Sequence, residues 1–110
     1  MNDTVYILGI DGGGTNTRGV IFNNQGKLLV ELNDSGSNLY VYKEKGVKII
    51  IDMIKNLAKK ININVSDISA LGLGLSGISD IHNRELLLKE LDKNKISKNS
   101  LILSDTEAAY

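Results

Sequence analysis

The segment Asp11-Gly12-Gly13-Gly14-Thr15-Asn16-Thr17 sets a carboxylate, three consecutive glycines and a hydroxyl between two apolar runs, Val5 to Ile10 and Arg18 to Phe22. This composition suits phosphate. Without Cβ atoms at the tip, backbone N–H groups approach an anion closely and the chain takes φ > 0 where needed. The Asp11 carboxylate suits Mg²⁺ or its waters, because hard cations take oxygen ligands, and the Thr15 hydroxyl can donate to a phosphate oxygen. Ordinary hairpin turns seldom need three glycines framed by Asp and Thr, so a phosphate-binding hairpin is expected. A second candidate is Asp105 in Ser104-Asp105-Thr106-Glu107. Ser104 and Glu107 fit a capping box, and an acid in a first turn favours the helix dipole without any chemistry. Ligands in open α/β sheets, however, also gather beyond strand carboxyl ends. Two further clusters, Ser37-Asn38 and Gly74/Ser76/Gly77, carry ordinary turn and strand-end residues that could equally wall a site.

These groups need elements to position them. After the hairpin, Asn23-Asn24-Gln25-Gly26 reads as a tight turn and Lys27 to Leu32 as a third strand, with a polar loop over Asn33 to Tyr40. Val47, Ile50, Ile51, Ile54, Leu57, Ala58 and Ile61 then recur at helical spacing with lysines between them. Asn62 to Asp67 breaks that helix, and Ile68 to Leu75 reads as a buried strand. A second helix starts near Ile81 with Leu86, Leu87 and Leu91 on its apolar face, followed by a fifth strand over Leu101-Ile102-Leu103 and a third helix from Ser104. The order β-β-β-α-β-α-β-α predicts one α/β domain with a mixed five-stranded sheet, three meander strands followed by parallel crossovers.

Composition removes several functions. Lysine plus arginine equals aspartate plus glutamate at 13 each among 110 residues, which leaves no basic footprint for nucleic acid and no polybasic membrane patch. With no cysteine, these residues offer no disulfide, iron–sulfur ligand or thiol nucleophile. No apolar run approaches the roughly 18 residues of a membrane span and no secretory leader is recognisable, so a cytoplasmic protein is expected. Gly72-Leu73-Gly74-Leu75-Ser76-Gly77 matches the dinucleotide-binding spacing, but its first two glycines fall inside a predicted strand, and Asp80 would face the pyrophosphate. A Walker loop ending in Gly-Lys-Ser/Thr is absent.

Taken together, Asp-Gly-Gly-Gly-Thr after a first strand, Gly-Leu-Ser-Gly after a fourth, and a fifth running into Ser-Asp-Thr-Glu-Ala-Ala resemble the N-acetylglucosamine kinases. More broadly they are similar to the sugar-kinase and BadF/BadG/BcrA/BcrD ATPase family of the actin-like ATPase superfamily. The resemblance covers essentially the whole chain and implies a ribonuclease H-like N-terminal lobe, with ATP and sugar held against a C-terminal lobe absent from these residues. It implies that Asp11 organises Mg²⁺ and that Gly12, Gly13, Gly14, Thr15 and Asn16 hold the β- and γ-phosphates of ATP. Asp105 matches the aspartate that takes the proton from the sugar hydroxyl, and Asp34-Ser35-Gly36-Ser37-Asn38 resembles the loop that holds the amino sugar with an asparagine, here Asn38; Ser37 and Gly77 are further candidate substrate contacts. The expected substrate is a small amino sugar such as N-acetylglucosamine or glucosamine.

Three alternatives share parts of this pattern. An ATPase activator of an acyl-CoA dehydratase or reductase would share the hairpin and carry iron–sulfur cysteines elsewhere. A glucokinase-like protein of the ROK family would show a later cysteine and histidine cluster for zinc. A non-catalytic lobe fragment would cover its cleft face by pairing as a homodimer. Ala108-Ala109-Tyr110 stands in the first turns of a predicted helix without a stop signal, so the chain reads as cut, and alone it is expected to be inactive.

Overall fold

Period-two alternation in the first strand decides which way the sheet faces. In β1 (Tyr6–Gly12) Leu8, Ile10 and Gly12 are buried while Ile7 and Asp11 point outward. A computed structural model describes residues 4–13, 15–35, 44–75, 80–96 and 100–104. The remaining elements are β2 (Asn16–Asn23), β3 (Leu28–Ser35), α1 (Glu44–Lys60), a 3₁₀ turn at Val65–Asp67, β4 (Ile68–Leu75), α2 (Ile81–Lys93) and β5 (Ser100–Ser104). They form one five-stranded sheet in the order β3-β2-β1-β4-β5. The first three strands pair antiparallel, and β4 and β5 add parallel to β1. The mixed α/β architecture expected from the element order is therefore present.

Helix α1 lies across β1, β2 and β3 and touches α2. Its stripe of Val47, Ile50, Ile51, Met53, Ile54, Leu57 and Ala58 is buried in one core with Leu8, Ile10, Ile21, Leu71, Leu73, Leu75, Leu87 and Leu91. Glycine at position 19 permits this approach, because a Cβ there would stand 2.6 Å from Met53 Sδ and 2.8 Å from Leu57 Cδ1. Both helices stop in the same way: Asn62 (φ 57°) and Lys95 (φ 59°) enter the left-handed region, and the next amides, Ile63 and Ile96, donate to the carbonyls of Ala58 and Leu91.

Helix α2 starts where Asp80 accepts from the amides of His82 at 2.9 Å and Asn83 at 3.3 Å. Two of the orphan N–H groups of a helix start are thereby satisfied. Asp80→Ala is expected to lower stability by about 1 kcal/mol, read as a shifted urea midpoint with an unchanged slope.

Several boundaries differ from the sequence expectation. The first strand runs on through Asp11 and Gly12, the second begins at Asn16, and the third continues to Ser35 through residues expected to form a loop. In each case ladder pairing overrides local turn preference, since Asp11 pairs with Arg18, Gly12 with Thr17 and Asn16 with Ser35. Helix α1 opens at Glu44, one polar turn ahead of its first apolar residue. The third helix expected after Ser104 lies outside the described residues.

Candidate functional site

The glycine-rich hairpin is tighter than its sequence suggests. Of the seven residues read as turn, Asp11, Gly12, Asn16 and Thr17 belong to strands. The Gly13 amide donates to the Asn16 carbonyl at 2.9 Å, closing the connection. That N–H is therefore engaged, and Thr15 and Asn16 are exposed at the tip. Thr17, which the sequence placed in the turn, is wholly buried opposite Gly12. Gly14 lies outside the described residues.

Parallel pairing then aligns the motif-bearing strand ends. Gly12 pairs with Leu75 and Leu75 with Ser104, so the carboxyl ends of β1, β4 and β5 finish at one edge in a single row. Strand β3 finishes there too, with Ser35 opposite Asn16. At two strand spacings, Ser104 stands about 10 Å from Gly12. The glycine-rich tip, the start of the Asp34–Asn38 segment, the end of β4 before Ser76-Gly77 and the residue preceding Asp105 are thus brought to one side of the sheet. Gly74, read as a possible wall, pairs directly with Asp11. Ser37, Asn38, Ser76, Gly77 and Asp105 lie outside the described residues.

Charge around Asp11 is organised by a pair that sequence reasoning missed. Arg18, opposite Asp11 in the ladder, places its Nε 2.6 Å from Glu31 Oε2 on β3. The hydrogen bond from Arg18 holds the Glu31 carboxyl below its ordinary range against the opposing effect of desolvation, with Arg18's charge and an Asn33 hydrogen bond adding to the lowering. Arg18 is shifted up, first by the same bond and by the Glu31 charge, and further by the charge of Asp11. Because Glu31 is lowered in the fold, the pair's contribution is full above the unfolded carboxylate value and is lost as pH falls through the folded one. An NMR titration of the Glu31 side-chain carbon should give a midpoint below that of an ordinary glutamate, and Arg18→Met should return it there. The only sequence signal was two opposite charges on strands whose register could not be counted, since the β2–β3 ladder shifts between Ile21 and Phe22.

Among the described residues no group of three or more His, Cys, Asp or Glu could hold a metal ion. An exposed carboxylate beside a glycine-rich turn still fits Mg²⁺, which keeps several waters and is bound through one or two carboxylates plus substrate phosphates. A groove of about 510 Å³ between α1 and α2, floored by Val47, Ile51 and Leu86, includes none of the residues read as site. No helix among the described residues is long and apolar enough to cross a membrane.

Comparison with known proteins bears on the family and the fold. The model of the BadF/BadG/BcrA/BcrD ATPase family matches residues 8–104. A glucosamine kinase of Vibrio cholerae is 31% identical over 71 residues, which is 64% of this chain and 24% of the kinase. A Chromobacterium violaceum structure named as an N-acetylglucosamine kinase superimposes with a TM-score of 0.64 at 27% identity, covering 91% of this chain and 34% of that one. A reductive activator for a corrinoid, iron–sulfur protein shares the fold at a TM-score of 0.61 and 17% identity, over 94% of this chain and 23% of its own. The fold is of the actin-like ATPase type. The chain spans about a quarter to a third of the length of these relatives.

Proposed function

The chain belongs to the BadF/BadG/BcrA/BcrD ATPase family, and from that premise we propose that it forms the N-terminal, phosphate-binding lobe of an ATP-dependent kinase acting on an amino sugar. The observation that carries this reading is the row of strand ends, Ser35, Asn16, Gly12, Leu75 and Ser104, from which every candidate motif departs on one side of the sheet. The kinase names of the Vibrio and Chromobacterium relatives support the reaction type and the sugar.

In this proposal Thr15, Asn16 and the backbone around Gly12, Gly13 and Gly14 hold the β- and γ-phosphates of ATP. Since the Gly13 amide is committed to Asn16, the exposed tip supplies most of the donors. Asp11 holds Mg²⁺ directly or through water. That ion neutralises charge on the phosphate oxygens when it is bound. Asn38, with Ser37 and Gly77, takes the sugar, as an amide both donates to and accepts from hydroxyl and acetamido groups. Asp105 accepts the proton of the sugar hydroxyl as its oxygen attacks the γ-phosphorus; the bond to the bridging oxygen breaks, and ADP leaves with that electron pair. Positioning and electrostatics carry such a transfer, so one carboxylate suffices as base. In this reading the protein works in the cytoplasm, where ATP is available to it.

Calorimetry on the 110-residue chain and on the same gene read past Tyr110, with N-acetylglucosamine, glucosamine and Mg-ATP, tests the proposal. An amino sugar bound by the longer protein, and phosphorylated by it, supports the kinase. ATP bound without any sugar would instead favour an activator ATPase. Sugar-dependent ADP release by the 110-residue chain alone would refute its assignment as one lobe of a two-lobe enzyme.

A further inference from the structure

The surface beside the hairpin contains a competition that the phosphate reading does not use. Arg18 and Asp11 are direct cross-strand partners on the outward face, where an aspartate and an arginine ordinarily join. They do not join here. The guanidinium turns to Glu31, which is opposite Val20 rather than Arg18, and takes the diagonal bond at 2.6 Å. Asn33, opposite Arg18 on β3, also hydrogen-bonds Glu31. Among the described residues, Asp11 is left with the guanidinium as a neighbouring charge but no ion pair.

We propose that Glu31 is a positioning residue that parks Arg18, so that the Asp11 carboxylate stays open to a divalent cation instead of closing on its own cross-strand arginine. This inference rests on the assignment of Asp11 to Mg²⁺ made above. An arginine fork and a hydrated divalent cation need the same two carboxylate oxygens, and the fork is supplied intramolecularly at high effective concentration. Asn33 fixes Glu31, Glu31 fixes Nε, and the long arginine side chain is held along the sheet surface rather than across the ladder. Glu31 acts on the cation only through Arg18, which makes the effect separable from the loss of one distant negative charge.

The test is a two-by-two comparison of wild type, Glu31→Gln, Arg18→Met and the double variant, with Asp11→Asn as control. Mn²⁺, alone and with ADP, serves as the probe of the Mg²⁺ position. The readout is paramagnetic broadening of the amide signals from Asp11 to Arg18, together with the chemical shift of the Asp11 carboxyl carbon. In the wild-type background Glu31→Gln should raise the Mn²⁺ concentration for half-broadening roughly three- to fivefold, the range of an exposed ion pair gained by the competitor. It should also move the Asp11 carboxyl signal as Arg18 closes on it. In the Arg18→Met background the same change should cost less than about half of that, because the competitor is gone. An equal cost in both backgrounds, or a Glu31→Gln protein whose Asp11 signal does not move, overturns the parking role and leaves the cation site standing. Broadening that is absent in wild type, or unchanged by Asp11→Asn, overturns the assignment of Asp11 itself and this inference with it.

Discussion

Asparagine in place of Asp105, tested in the gene product read past Tyr110, should cut sugar-dependent ATP turnover by about 10²–10⁴-fold, the range for loss of a positioned base. Binding of Mg-ATP should change by less than about twofold, because an interaction made only during proton transfer does not contribute to ground-state affinity. Asp11→Asn should separate cleanly from it. That change removes the carboxylate beside the phosphate turn, so calorimetry should show weakened Mg-dependent nucleotide binding as well as lost turnover. If Asp105→Asn weakened nucleotide binding as much as Asp11→Asn did, the two acids would share one task, and the division of labour proposed for the two strand ends would fail. Retained turnover in Asp105→Asn would reduce that residue to a helix-capping acid.

The largest expected effect on stability falls at Gly19. Valine there must displace Met53 and Leu57, whose atoms already stand within 3 Å of the new Cβ, and the β-branched side chain cannot rotate away from α1. Such overpacking typically costs about 1–3 kcal/mol, which for a domain of this size lowers the melting temperature by roughly 4–8 °C per kcal/mol. Gly72→Ala is the matched control, since a Cβ at Gly72 meets no atom within 4 Å. It should leave stability unchanged within about 0.5 kcal/mol. Equal losses at the two positions would mean that strand backbone, rather than the α1 contact, sets the need for glycine.

Why some elements were legible and others were not follows from where the deciding force lay. Ile68 to Leu75 is legible to the residue because an eight-residue run that is apolar apart from Ser69, bounded by Asp67 and Ser76, has the length and flanks of a buried strand. The α1 stripe was equally plain, its period being set by the helix itself. The glycines mark the hairpin but not its width, because turn preference is local whereas the pairs Asp11–Arg18 and Gly12–Thr17 are formed by a partner strand. Asn33, Asp34 and Ser35 read as loop for the same reason, and only the pairing of Thr17 with Asp34 and Asn16 with Ser35 shows them as strand. For the candidate site, the motifs were visible one by one, but their common edge was not. It depends on the parallel register Gly12–Leu75–Ser104, which joins residues far apart in sequence. The Arg18–Glu31 pair required in addition the ladder shift near Ile21.

The sheet order has a consequence for how the chain is made. Its middle strand, β1, is synthesised first; β2 and β3 follow within some thirty residues and can zip onto one side of it, but β4, which closes the other side, arrives about sixty residues later. At translation rates of about 5–20 residues per second, the open side of β1 waits on the order of several seconds with its N–H and C=O groups unpaired. During that time the nascent meander is a sheet with a raw edge, the kind of template that other strands add to. The apolar segment Ile68 to Leu75 is thus both the structural completion of the sheet and the event that ends a window of vulnerability on the ribosome, where a chaperone holding the emerging hairpin would matter most.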